Sequence, residues 1–177
     1  MSLSSDRLRE LETVADDATR LRRQLQKDPS ARRFDVSTVV AMMIRGRVSA
    51  APNLRHGDRR VSGLFVPGGA FPHIRFEAHE PPRRQRFTVA HELGHSCLDP
   101  LQETVCDPAA MEADSITEEH DVRESEADAF AAAFLIPADR LIPDLRQFGS
   151  CASFLADLYD VSDPTMGRRL RALELIT

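Results

Sequence analysis

A chain of 177 residues is the size of one domain, and 42% apolar with 29% charged residues marks a folded protein rather than a disordered one. The longest apolar stretch, Ala129 to Ile136, is too short to span a bilayer, and the charged start MSLSSDRLRELE lacks the apolar core of a secretory signal. The net charge of −5 divides into a basic first third (13 basic and 8 acidic residues in 1–60) and an acidic remainder, and three cysteines (Cys97, Cys106, Cys151) make no disulfide framework. A reducing, cytoplasmic setting is therefore expected, with no membrane contact. The basic third fits a solvated surface better than a nucleic-acid surface.

Residues 6–27 predict an amphipathic helix capped by Asp6. Its apolar stripe is Leu8, Leu11, Ala15, Ala18, Leu21 and Leu25, and Asp28-Pro29 ends it. Residues 1–30 thus read as a helical extension and 31–177 as the main domain. Val36 to Ile44 predicts a second short helix, with a strand as the alternative. Gly63, Pro67, Gly68 and Gly69 punctuate the runs VSGLFV (61–66) and HIRFE (73–77), which read as strands of a small antiparallel sheet.

Pro81-Pro82 opens a helix expected to reach Leu98. Residues 99–122 carry eight acidic residues and no lysine or arginine, which predicts an irregular loop or lid. A helix resumes through Glu124 to Ile136 and stops at Pro137. Two further short helices are expected after it, the last capped by Ser162. This order of elements predicts an α+β domain.

The chemistry concentrates in His91-Glu92-Leu93-Gly94-His95. Residues i and i+4 share a helix face, so both imidazoles can aim at one ion while Glu92 reaches a water beside it. That is the pattern of a zinc hydrolase, with Glu92 as general base. Phe87, Val89, Ala90 and Leu98 predict a buried helix, where two histidines need partners. A catalytic zinc takes three protein ligands, and no further histidine follows at short spacing.

RESEADAFAAAFLIP supplies two glutamates, Glu124 and Glu126, which lie about 160° apart around a helix, so only one can face the ion. Glu124 shares its face with Asp128, which can hold a histidine ring nitrogen, and this favours Glu124 as ligand. Cys97 and Cys106 read as small buried apolar side chains rather than as a fourth ligand that blocks the metal. His73 is the candidate for substrate contact, on a strand edge that would align a peptide by β-addition. The run YDVSDPTMGRRLRAL has the spacing of core packing rather than of a DNA-recognition helix.

RRQRFTVAHELGH followed by E-x-E-A-D-x-F-A-A-x-x-L-I-P resembles the ImmA/IrrE family of cytoplasmic zinc metallopeptidases. The resemblance runs from about Phe34 to Leu173 and extends to LADLYDVSDPTMGRRLRAL near the end. It implies a zincin-like, gluzincin-type domain with Zn²⁺ held by His91, His95 and Glu124, and Glu92 as base. It also implies a protein substrate, a helix-turn-helix repressor whose cleavage switches on a stress response. Asp99 departs from the pattern, since relatives with this motif often carry a further histidine there. The alternative is a non-proteolytic regulator or toxin-like sensor module that binds a partner or DNA and keeps a structural metal. An intact Glu92 argues for the enzyme, because a structural site has no use for a base.

Overall fold

The computed structural model describes residues 5–26, 28, 30–68, 70–100, 103–106, 118–149 and 151–176. Its elements, in order, are α1 (Ser5–Leu25), α2 (Val36–Met43), β1 (Arg47–Ala51), β2 (Arg55–His56), β3 (Arg59–Arg60), β4 (Gly63–Val66), β5 (His73–Glu77), α3 (Pro82–Leu98), β6 (Thr104–Cys106), α4 (Glu118–Leu135), α5 (Ala138–Phe148), α6 (Ala152–Tyr159) and α7 (Asp163–Ala172). The domain is α+β, as expected.

The sheet corrects one expectation. It is mixed rather than antiparallel, in the order β1-β5-β4-β6. β4 runs antiparallel to both β5 and β6, but β1 pairs parallel with β5, Arg47 opposite His73 through Ala51 opposite Glu77. The β2–β3 hairpin and β4 separate β1 from β5 in the chain, which leaves room for the crossover that a parallel pair requires. A second correction concerns residues 99–122. Thr104–Cys106 is a strand on the edge of β4, and Glu118 already lies in α4. The rest of the expected lid, 101–102 and 107–117, lies outside the described residues.

α3 is the central element, with Phe87 through Val89, Ala90 and Leu93 buried between the sheet and α4. It starts at Pro82, whose missing N–H costs nothing in a first turn. Gly94 lets α4 come close: a Cβ there would lie 3.0 Å from Phe130 Cδ1 and 3.3 Å from the Ala127 Cα. α1 packs along α4 and buries Ala15 and Ala18 in the same core as α3, while Leu21 of the expected stripe is exposed. Arg22 of α1 is buried, donates to the Phe134 carbonyl at 2.8 Å and stacks on the Phe34 ring.

Three helices follow Pro137 rather than two. α5 continues through Pro143, which removes one backbone bond, because Leu141 and Leu145 pack on the core. Asp144 takes the Arg32 guanidinium and the Tyr159 hydroxyl, the latter at 2.7 Å, and ties α5 to α6 and to the segment before α2. α7 begins at Ser162, whose hydroxyl accepts from the Thr165 amide, and Met166 and Leu170 are buried.

Candidate metal centre

Among the described residues α3 and α4 make the most extensive pairing, and His91, His95, Glu124 and Asp128 lie in that seam. His91 and His95 are buried one turn apart on α3. Their Nε2 atoms are 3.0 Å from each other. The Glu124 carboxylate of α4 closes the group, with Oε2 3.1 Å from His91 Nε2 and Oε1 3.2 Å from His95 Nε2. These three residues each offer one ligand atom, all within 4.8 Å of one another.

The donor set fits a divalent ion. Tetrahedral zinc with bonds near 2.0–2.1 Å keeps its ligand atoms roughly 3.3 Å apart, close to the separations found here. Two imidazole nitrogens and a carboxylate, with no hydroxyl or amide among them, are also the donors that a catalytic zinc takes. The other His91 nitrogen, Nδ1, meets Asp128 Oδ1 at 2.9 Å, which fixes the ring and leaves Nε2 for the centre.

The charges follow from this packing. Burial works against an ionised Glu124, but hydrogen bonds and charges from both histidines outweigh it and hold the carboxyl well below the usual range. Burial likewise works against a charged His91, yet the nearby Cys106 sulfur and the carboxylates of Asp128 and Glu124 raise its proton affinity well above the ordinary imidazole. For His95, burial prevails and lowers it.

Glu92 sits on the neighbouring face of α3 and is fully buried. Its Oε2 accepts the Thr104 hydroxyl at 3.0 Å, while Oε1 is buried with no hydrogen-bond partner among the described residues. Burial pushes this carboxyl up to about 7. Room for it exists because residue 63 is glycine: a Cβ there would lie 2.5 Å from Glu92 Oε1. A buried carboxylate held against strand backbone, with one oxygen free, is suited to taking a proton from a small polar molecule in the seam.

Glu126 faces elsewhere. It forms a two-pronged pair with Arg7 of α1, at 2.6 and 2.9 Å. The structure does not bring His73 to the cluster. His73 starts β5, an interior strand paired on both sides, and bonds Ser49 at 2.8 Å. It stands opposite Val66, three residues along β4 from Gly63, so the expected β-addition has no free edge there. Cys97 is exposed, contrary to expectation, and Cys106 is buried on β6. Thr104 and Arg7 carry no signal in the sequence beyond the β-branched pair Thr104-Val105 within an acidic run, and Gly63 reads there only as strand punctuation, not as room for Glu92.

Comparison with known proteins gives a concordant picture. The family Peptidase M78, described as the IrrE N-terminal-like domain, matches residues 48–171. The radiation response metalloprotease IrrE of Deinococcus deserti is 32% identical over 136 residues, covering 68% of this chain and 45% of that protein. Its namesake in Deinococcus radiodurans is 35% identical over 95 residues, covering 52% and 27%. The chain spans less than half the length of these curated relatives. Among solved structures, a Mycobacterium tuberculosis transcriptional regulator superposes with a TM-score of 0.60 over 94% of this chain and 47% of its own, at 19% identity, a likeness of fold.

Proposed function

The chain belongs to the IrrE N-terminal-like family of M78 peptidases, and from that premise we propose that it is a zinc-dependent endopeptidase of the cytoplasm that cleaves a regulatory protein such as a helix-turn-helix repressor. Two matched relatives carry the name metalloprotease, which supports the reaction class. One observation carries the reading: a buried carboxylate, Glu92, keeps one oxygen without a partner beside a His-His-Glu group spaced for an ion. Bound by His91, His95 and Glu124, Zn²⁺ would polarise the scissile carbonyl and acidify the attacking water.

The protein's own groups do the rest. Glu92 takes a proton from the attacking water and returns it to the leaving amine. Its raised proton affinity, near 7, suits both halves of that exchange at neutral pH. Before a substrate arrives, the Thr104 hydroxyl occupies Oε2, while Oε1 is left without a partner for the transfer. Asp128 keeps His91 in one tautomer and one orientation. Among the described residues no helix is long and apolar enough to cross a membrane.

The test is co-expression with helix-turn-helix repressors encoded beside the gene. The wild-type chain should release a defined fragment, and Glu92→Gln should lower cleavage by about 10²–10⁴-fold while keeping its metal. Full cleavage by Glu92→Gln would remove Glu92 from the reaction.

A further inference from the structure

We propose that the outer edge of β4 is where an extended segment of the substrate binds, and that β6 fills this edge as an internal stand-in that the substrate must displace. The proposal rests on the endopeptidase reading and names the kind of segment such an enzyme would accept.

β4 is the strand that touches the base. Gly63 lies under Glu92, so a chain paired along β4 at Gly63 runs directly past the carboxylate. The opposite edge of the sheet, β1, is two strands away. β5 takes one side of β4, and among the described residues the other is held by three, with Cys106 opposite Gly63, Val105 opposite Leu64 and Thr104 opposite Phe65. A short antiparallel edge strand is the easiest part of a sheet to exchange.

The residues of β6 behave as a ligand would. The Thr104 hydroxyl occupies Oε2 of the base. Val105 packs against Ala51, Leu54 and Val61, a small apolar cluster separate from the main core. Just before it, Glu103 pairs with His56 at 3.2 Å, on the β2–β3 hairpin, whose Arg55, Arg59 and Arg60 are exposed. Together the edge, the apolar cluster and the basic hairpin describe an occupant: an extended segment with an aliphatic residue and an acidic one two positions before it. Main-chain pairing would supply affinity, and these two side chains specificity.

The experiment follows binding, independently of cleavage. A fluorescent peptide with the sequence of residues 101–108, serine replacing Cys106, is titrated against the zinc-loaded chain by anisotropy. In the wild-type chain β6 competes, so apparent affinity is reduced by the fraction of molecules with the edge open. Val105→Pro, which a paired strand cannot accommodate, should tighten binding by about 10-fold or more. Should Val105→Pro fail to fold, Val105→Ala weakens the apolar anchor and should tighten binding by roughly 3-fold. A peptide with aspartate at the valine position should bind at least about 10-fold more weakly.

Equal or weaker binding by both variants would overturn the proposal, since a peptide that adds to β6 rather than replacing it needs β6 intact. That outcome leaves the endopeptidase reading standing if a repressor is still cleaved. Peptide binding as expected, with no protein cleaved by the zinc-loaded chain, would sink the endopeptidase reading instead.

Discussion

The seam between α3 and α4 and the edge of the sheet contribute to one site in different ways. In the seam, His91, His95, Glu124 and Asp128 sit at intervals of four residues along two helices, so local geometry alone aligns each pair. At the sheet edge, Gly63 meets Glu92 because β4 packs on α3, and Thr104 reaches it only because β6 pairs with β4 across a long stretch of chain. The seam holds three candidate ligand atoms around 3 Å apart. The edge sets strand backbone and the Thr104 hydroxyl against the Glu92 carboxylate of α3. A metal site is most precise on helices, and a peptide site is most easily built on a strand.

The contrast is tested most strongly by titrating Glu92 in the metal-free protein. Its carboxyl keeps a proton up to about 7 when folded, against 4.5 for the free group. Between those values the folded state binds more protons than the unfolded one, so stability falls as pH rises through this window. Above it the full cost applies, on the order of 3 kcal/mol. Glu92→Gln should gain stability over wild type by about that amount at pH ~8 and nothing at pH ~4. Chemical denaturation at the two pH values decides it, and an equal difference at both would mean that Glu92 is not held in a costly site.

Asp128→Asn comes next and belongs to the seam alone. It keeps an acceptor for the His91 ring but removes the charge, so metal affinity should fall roughly 10–100-fold, read by competition with a chelator dye. The same measurement against pH sharpens the point. His91 must lose its proton to bind an ion, and Asp128 and Glu124 hold that proton more firmly than usual. Metal affinity should therefore weaken as pH falls, from above the ordinary imidazole range downward. Asp128→Asn should move the onset to lower pH; an unmoved onset would place Asp128 outside the control of His91.

The smallest effect is expected outside both regions. Arg7→Ala breaks the pair with Glu126, which is partly exposed, and should cost about 0–1 kcal/mol without touching metal or cleavage. Loss of metal in Arg7→Ala would show that α1 sets the rotation of α4.

The same division explains how much could be read from the sequence. His91, Glu92 and His95 were visible because their spacing is a helix period, and Glu124 was separable from Glu126 because two residues turn a helix to its other side. The helices themselves followed from Pro82, Ser162 and the apolar stripes. The parallel partner of β1 was not readable, since strand direction depends on a crossover that residue pattern does not encode. Thr104 escaped because its meaning lies in its partner, and an acidic run reads as loop until the strand it pairs with is known. His73 was misplaced for the same reason: alternation showed a strand but not that both of its sides are paired.

The central claim is that His91, His95 and Glu124 hold one ion while Glu92, next to His91, holds none. Metal content of purified chains, measured by inductively coupled plasma mass spectrometry after dialysis against trace zinc, tests it most directly. Wild type, Glu92→Gln and Glu126→Ala should each retain one zinc per chain, and Glu124→Ala should retain next to none. Zinc lost from Glu126→Ala and kept by Glu124→Ala would contradict the account, because it would turn α4 by half a revolution from where the pairs with His91 and Arg7 place it.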